Sequence, residues 1–250
     1  METAERLLHT LNRLVDRIVC IVLVLSLLYG GYALWDNYMI YKGTDLDSQI
    51  AKYKPTPSNP NLSELQAINK DVCAWLTIDD THIDYPVLHS TDNSRYLNCD
   101  IYGKYSLGGS IFLDYRNSPD FSDGYSILYG HHMSGGAMFG DIMKFEDASY
   151  FEQHRYGTLI VTGKTYRLEL FAVLHEDAYT SPMFDMAGGE GTSGERLAYI
   201  RQSALHLRES DSTQEYHILA MSTCASATTN GRTIVTAWME EERDAGGDEQ

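Results

Sequence analysis

The chain has 250 residues, with 19 Lys and Arg against 35 Asp and Glu, giving a formal net charge of −16. That balance argues against a nucleic-acid binder, because affinity for phosphate backbones comes mainly from clustered Lys and Arg. Hydrophobic residues at 43% and aromatics at 11%, including 18 Tyr, are enough to bury a core, so wholesale disorder is excluded.

In chain order, the first feature is the uncharged run Ile18 to Trp35 (IVCIVLVLSLLYGGYALW). At ~1.5 Å per residue it spans about 27 Å, close to the hydrocarbon thickness of a bilayer. Arg6, Arg13 and Arg17 precede it, while Asp36, Asp45 and Asp47 follow. The positive-inside rule therefore puts residues 1–17 in the cytoplasm and everything after Trp35 outside. The run is longer than the apolar core of a cleavable signal, which favours a retained transmembrane anchor over 18–35. Residues 36–60 include Pro55, Pro57 and Pro60 in KYKPTPSNPN and read as an extended extracytoplasmic stalk. Asn61 or Ser63 then caps a short helix with Leu62, Leu65 and Ile68 on one face, opening a folded domain placed at 61–239.

From Trp75 onward, short segments rich in β-branched and aromatic residues alternate with Gly, Asn and Asp. Strands are predicted at Ala74–Ile78, His82–Leu88, Ser110–Tyr115, Tyr125–Tyr129, Gly157–Val161, Thr165–His175, Tyr216–Met221 and Thr233–Met239. About eight strands of this kind argue for a mostly β domain, either a closed or nearly closed barrel or a sandwich. Met138–His154 reads as one or two short helices. Glu195–Arg208 carries Leu197, Ile200, Ala204 and Leu207 at helical spacing, with Thr192 and Glu195 arranged as a capping box. The last eleven residues, 240–250, hold six acids and one Arg and read as a disordered acidic tail.

Four cysteines (Cys20, Cys73, Cys99, Cys224) form no CxxC pair, so neither a disulfide framework nor a zinc site is indicated. Cys73 and Cys99 are free to pair outside the cell, though nothing in their spacing demands it. Cys224 would be an unpaired extracytoplasmic thiol. It follows a predicted strand in MSTC, His131 follows another in LYGHHM, and Arg232 opens the last. A thiolate is favoured by a nearby imidazole and guanidinium, and the guanidinium can also hold an oxyanion. On spacing alone, an inert buried cysteine and a structural histidine remain the commoner reading of such residues.

Five motifs narrow the choice: LYGHHMSGGAMFGD (128–141), LAMSTC (219–224) with an Arg eight residues after its Cys, YLNCD (96–100) and GSIFLDYRN (109–117). With them the whole chain resembles the class B sortases. The resemblance implies an eight-stranded β-barrel with an N-terminal helical lead-in and a long helix before the cysteine strand, preceded by one transmembrane helix. It also implies a membrane-bound cysteine transpeptidase of a Gram-positive type surface. Such an enzyme cleaves a C-terminal sorting signal of surface proteins after Thr, holds a thioacyl intermediate, and passes it to an amine of the lipid-linked cell-wall precursor. Carried over by position, Cys224 is the nucleophile, His131 the general acid or base, and Arg232 the oxyanion and substrate-orienting residue. The family places the catalytic His directly after Tyr-Gly, which selects His131 over His132.

Asn93, Leu97, Tyr179, Ser222 and Thr223 match substrate-binding positions of class B relatives. The family's Thr-Leu-x-Thr-Cys is Ala220-Met221-Ser222-Thr223-Cys224 here, and Ala225 stands where some relatives have an acid. The remaining histidines show no HxH or HExxH spacing, and Asp45 and Asp47 do not continue into a calcium loop. No metal and no cofactor are expected. Three alternatives stay in view: a pilin-polymerising enzyme using a Lys amine, a Cys-His wall hydrolase, and a non-catalytic membrane-tethered β-domain. The hydrolase is opposed by the chain order, His131 before Cys224, and by a Cys that follows a strand.

Overall fold

The computed structural model describes residues 2–42, 48–186, 193–208, 217–224 and 230–242. They form two compact units, 1–42 and 43–250. The first is one helix, α1 (Glu2–Lys42), in which His9–Trp35 has a mean hydropathy of 2.2 and none of its apolar stretch buried. It is long and apolar enough to cross a membrane.

The second unit is built on β1 (Val72–Ile78), β2 (Asp84–His89), β3 (Ile111–Leu113), β4 (Tyr125–Tyr129), β5 (Tyr156–Val161), β6 (Lys164–Asp177), β7 (His206–Leu207), β8 (His217–Cys224) and β9 (Gly231–Glu241). Eight of these follow the order β5-β1-β2-β3-β4-β8-β9-β6, and pairing of β5 with β6 closes the ring. It is a mixed barrel: β2–β3 and β4–β8 are parallel, and the other neighbours are antiparallel. Closure leaves no long exposed edge, which a sandwich would have to protect by other means. The two-residue β7 is an addition to the outer part of β6.

Alternation along the strands sends Leu76, Leu128, Leu168, Leu219, Met221 and Val235 inward, where each is fully buried. Each such side chain contributes about 2 kcal/mol of transfer free energy. The segment after β4 supplies the inner plug. It runs through short 3-10 helices at Ser134–Gly136 and Gly140–Glu146 into α4 (Ala148–Gln153), and puts Phe139, Ile142, Phe145 and Phe151 into the same core.

Four expectations are revised by the packing. The segment 36–60 is not an extended stalk throughout: α1 runs to Lys42, and α2 (Ser48–Ala51) carries Ile50, 1% exposed, into a cluster with Leu62, Leu65 and Trp75. Apolar burial outweighs the prolines there, and the Lys54–Asp84 ion pair fastens the chain to β2 (2.7 Å). The lead-in helix is α3 (Ser63–Ile68); Asn61 Oδ1 accepts from the Ser63 N–H at 2.9 Å, although the capping position itself is Leu62.

The helix expected over 195–208 is α5 (Ser193–Ser203), shorter at its end. The Leu205 N–H donates to the Val173 carbonyl, and His206–Leu207 pair with β6, so the strand edge takes the backbone groups that a longer helix would have used. Thr192, the expected cap, lies outside the described residues. The expected tail begins inside β9, which runs to Glu241.

Candidate functional site

β8 and β9 run antiparallel, and their register sets Ser222 opposite Ile234, Thr223 opposite Thr233, and Cys224 opposite Arg232. Cys224 is thus the last residue of its strand and not the start of a loop. Arg232 likewise lies inside β9. The adjacent small polar residues Ser222 and Thr223 interrupt the apolar run and hide the strand end, because Ser is common in turns.

The parallel partner of β8 is β4, whose final pair is Tyr129 with Ser222. The Gly130 N–H continues toward Ser222, bonding its carbonyl at 3.2 Å. His131 and Cys224 therefore both lie two residues beyond the last pair of adjacent parallel strands. A Cβ on Gly130 would stand 2.7 Å from the Phe139 ring, which explains why Gly precedes the histidine. The Phe139 N–H donates to the His131 carbonyl at 3.0 Å, so the backbone of His131 is held on both sides. His131 Nε2 lies 2.8 Å from the Leu97 carbonyl oxygen. His132 is exposed and forms a bridge with Met138.

The guanidinium of Arg232 donates from Nη1 to the Gly231 carbonyl (3.1 Å) and has no ion-pair partner among the described residues. Its strand neighbour across β6 is Glu176, which accepts from the Tyr199 hydroxyl at 2.9 Å. Tyr179 is 82% exposed, on a turn tied back to this end by the Ala178 N–H to the Asn230 carbonyl (2.9 Å). Arg196 of α5 holds the next few residues, donating to the carbonyls of Pro182 (3.1 Å), Met183 (3.3 Å) and Asp185 (2.7 Å) while lying over the Tyr125 ring.

The remaining predicted substrate positions differ in access. Leu97 is 39% exposed at the end of the 3-10 turn Arg95–Leu97. Ser222 and Thr223 are each 1% exposed, and their hydroxyls have no hydrogen-bond partner among the described residues. Asn93 turns its amide toward Asp114 Oδ2 (2.9 Å), and its oxygen accepts from the Tyr115 N–H (3.0 Å). Ala225 lies outside the described residues.

Sequence reasoning missed the centre to which Asn93 belongs. The carboxylate of Asp114 is fully buried and accepts from Arg116 Nε (2.8 Å) and Nη2 (2.7 Å), from Asn93, and from the Tyr129 hydroxyl (3.0 Å). Burial alone would raise its pKa, but the bonds from Arg116 and Asn93 outweigh burial and hold the carboxyl below its ordinary value. This cluster joins Asn93 to Tyr129, two residues before His131. The available signal was GSIFLDYRN, in which an acid and an Arg flank a Tyr directly after an apolar strand.

Cys73 and Cys99 are both free thiols. Cys73 sits at a β-bulge between β1 and β2, and burial pushes its thiol pKa well up.

The comparisons with known proteins agree on one group. A sequence model of the sortase domain matches residues 76–240. The Sortase B of Listeria monocytogenes is 34% identical over 203 residues, covering 78% of this chain and 81% of that protein. The Sortase B of Staphylococcus aureus is 27% identical over 233 residues, covering 88% and 94%. Among solved structures, a Streptococcus pyogenes class B sortase involved in pilus biogenesis superposes with a TM-score of 0.66 at 40% identity, covering 72% of this chain and 98% of that one. Sortase B from the type II pilus of Streptococcus pneumoniae gives 0.61 at 38% identity, with the same two coverages.

Proposed function

This chain belongs to the sortase family of cysteine transpeptidases, in its class B, and from that premise we propose that it cuts a C-terminal sorting signal of surface proteins after Thr and transfers the protein to an amine of the cell-wall precursor. The observation that carries the reading is the joint arrival of His131, Cys224 and Arg232 at the ends of β4, β8 and β9 on one side of the barrel.

In this reading the Cys224 thiolate attacks the Thr carbonyl carbon. The Arg232 guanidinium, with most of its donors unengaged by the described residues, takes up the negative charge that develops on the oxygen. His131 gives a proton to the departing amine as the C–N bond breaks, leaving a thioacyl enzyme. An incoming amine then attacks that thioester, His131 takes its proton, and the thiolate leaves. Leu97 and Tyr179, both exposed, contact the signal, and Asn93 is held by its bond to Asp114.

The apolar run 18–35, within the helical stretch His9–Trp35, anchors the enzyme in the cell membrane, with Arg6, Arg13 and Arg17 before the run in the cytoplasm and the catalytic domain outside. The catalytic domain spans 61–239 together with the packed segment around Ile50 and the end of β9 at Glu241. One observation favours a second acceptor, a Lys side chain of a pilin: the two pilus-associated sortases are 40% and 38% identical to this chain, against 34% for the Listeria enzyme. Incubating the enzyme with sorting-signal protein plus either a wall cross-bridge peptide or purified pilin decides between them. Peptide conjugates support wall anchoring, and pilin ladders alone overturn it.

A further inference from the structure

We propose that Gly109 is a positioning residue for the His131 imidazole: it leaves the space in which the Leu97 carbonyl accepts the Nε2 proton, so that Nδ1 is the ring nitrogen free to exchange a proton in the reaction. A carbonyl oxygen only accepts, so the 2.8 Å contact from Nε2 to the Leu97 oxygen requires the proton on Nε2. The neutral ring is then the Nε2–H tautomer.

The position of that carbonyl is set by what faces it. Gly109 has a positive φ of 57°, and a Cβ there would stand 2.5 Å from the Leu97 oxygen and 2.9 Å from its carbonyl carbon, besides colliding with the Tyr96 oxygen. The atoms it would strike are backbone, which cannot swing aside as a side-chain end can. Three more bonds tie the two segments together: the Ser110 N–H to the Tyr96 carbonyl (3.0 Å), the Ser106 N–H to the Asn98 carbonyl (3.0 Å) and the Ser110 hydroxyl to the Cys99 carbonyl (2.7 Å). Any side chain at 109 would therefore push the Leu97 carbonyl off its line to His131. Displacement of an orienting group by about 1 Å can cost on the order of a hundredfold in rate.

The inference rests on the proton-transfer role given to His131 above. Its test begins with the unaltered 43–250 unit: ¹⁵N NMR of the histidine side chains at a pH where His131 is neutral. A pyrrole-like Nε2 and a pyridine-like Nδ1 are expected; the opposite tautomer overturns the proposal. The 43–250 segment is a compact unit by itself, and the solved Streptococcus pyogenes chain, 98% covered, matches 72% of this chain, so the fold stands without the remainder. In Gly109→Ala, sorting-peptide cleavage is expected to lose about a hundredfold in kcat, with a smaller rise in KM because Leu97 also meets the signal, and the His131 tautomer signature is expected to broaden or invert. A folded Gly109→Ala with parental kcat and parental ¹⁵N shifts overturns the proposal. If that variant does not fold, the tautomer of the parent still decides. A parent that cleaves no sorting signal counts against the proposed function, whereas an active parent with Nδ1–H counts against this inference alone.

Discussion

Arg232 is the cross-strand partner of Cys224 in the final pair of the β8–β9 ladder. Two backbone segments locked by antiparallel hydrogen bonds fix the separation of these residues far more tightly than loops could. The pairing sets two residues eight apart in the sequence on the same rung.

That relationship makes Arg232→Lys a sharp substitution. An ammonium is a point charge without the rigid fork of donors, so sorting-peptide cleavage should fall by about a hundredfold in kcat. KM should change little. Steady-state kinetics with a fluorogenic peptide measures both; a kcat near the parental value would show that charge alone suffices.

Asp114→Asn should lower stability at neutral pH by about 2 kcal/mol, because Arg116 loses its charged partner. Acid has a defined sign here. The native carboxyl is held below its ordinary value, so its contribution is complete above the unfolded value of ~3.9 and is lost as pH falls through the lower native one. Asp84 and Asp141 behave alike, with burial overcome by Lys54 and Lys144 respectively, among other donors. Urea denaturation across acidic pH should show the parent losing stability below about pH 4, and Asp114→Asn losing less of its own over the same interval.

Arg196→Met should loosen the segment Pro182–Asp185 by removing the guanidinium bonds to three backbone carbonyls, of which Pro182 keeps the Asp185 N–H and Met183 keeps the Tyr125 hydroxyl as donors. Tyr179 precedes that segment. The expected result is a higher KM for the sorting peptide with kcat largely kept, together with about 2 kcal/mol of lost stability. An unchanged KM would separate Tyr179 from substrate binding.

Cys73 should resist alkylation in the folded protein, since it is 9% exposed and burial disfavours its thiolate. Mass spectrometry of the 43–250 unit after brief treatment with iodoacetamide should find label on Cys224 and none on Cys73 until denaturant is added. Early labelling of Cys73 would mean that the β1–β2 bulge opens locally.

Much of this architecture can be read in the chain because its signals are local. β4 has the bounds its apolar alternation predicts, Tyr125–Tyr129, and the other strand cores lie where β-branched and aromatic residues cluster. Family-specific motifs then point to His131, Cys224 and Arg232. What escaped is set by distant partners. β8 runs three residues past the predicted end because Ser222, Thr223 and Cys224 pair with β9. Leu207 keeps helical spacing with Ile200, yet it pairs with Ala172 in a strand and still reaches the same apolar cluster. Asn93 and Asp114 meet across 21 residues of sequence, so no spacing rule could join them. Ile50 shows the same limit, since only the assembled barrel offers the surface that buries it.

The central claim is tested most directly by intact-mass spectrometry of the 43–250 unit and its Cys224→Ala variant, each incubated with a panel of sorting-signal peptides. The account predicts a thioacyl adduct ending in Thr on the parent only, with release of the C-terminal peptide fragment. A parent whose Cys224 reacts with a thiol probe but forms no adduct with any signal would contradict it, as would equal cleavage by the Cys224→Ala variant.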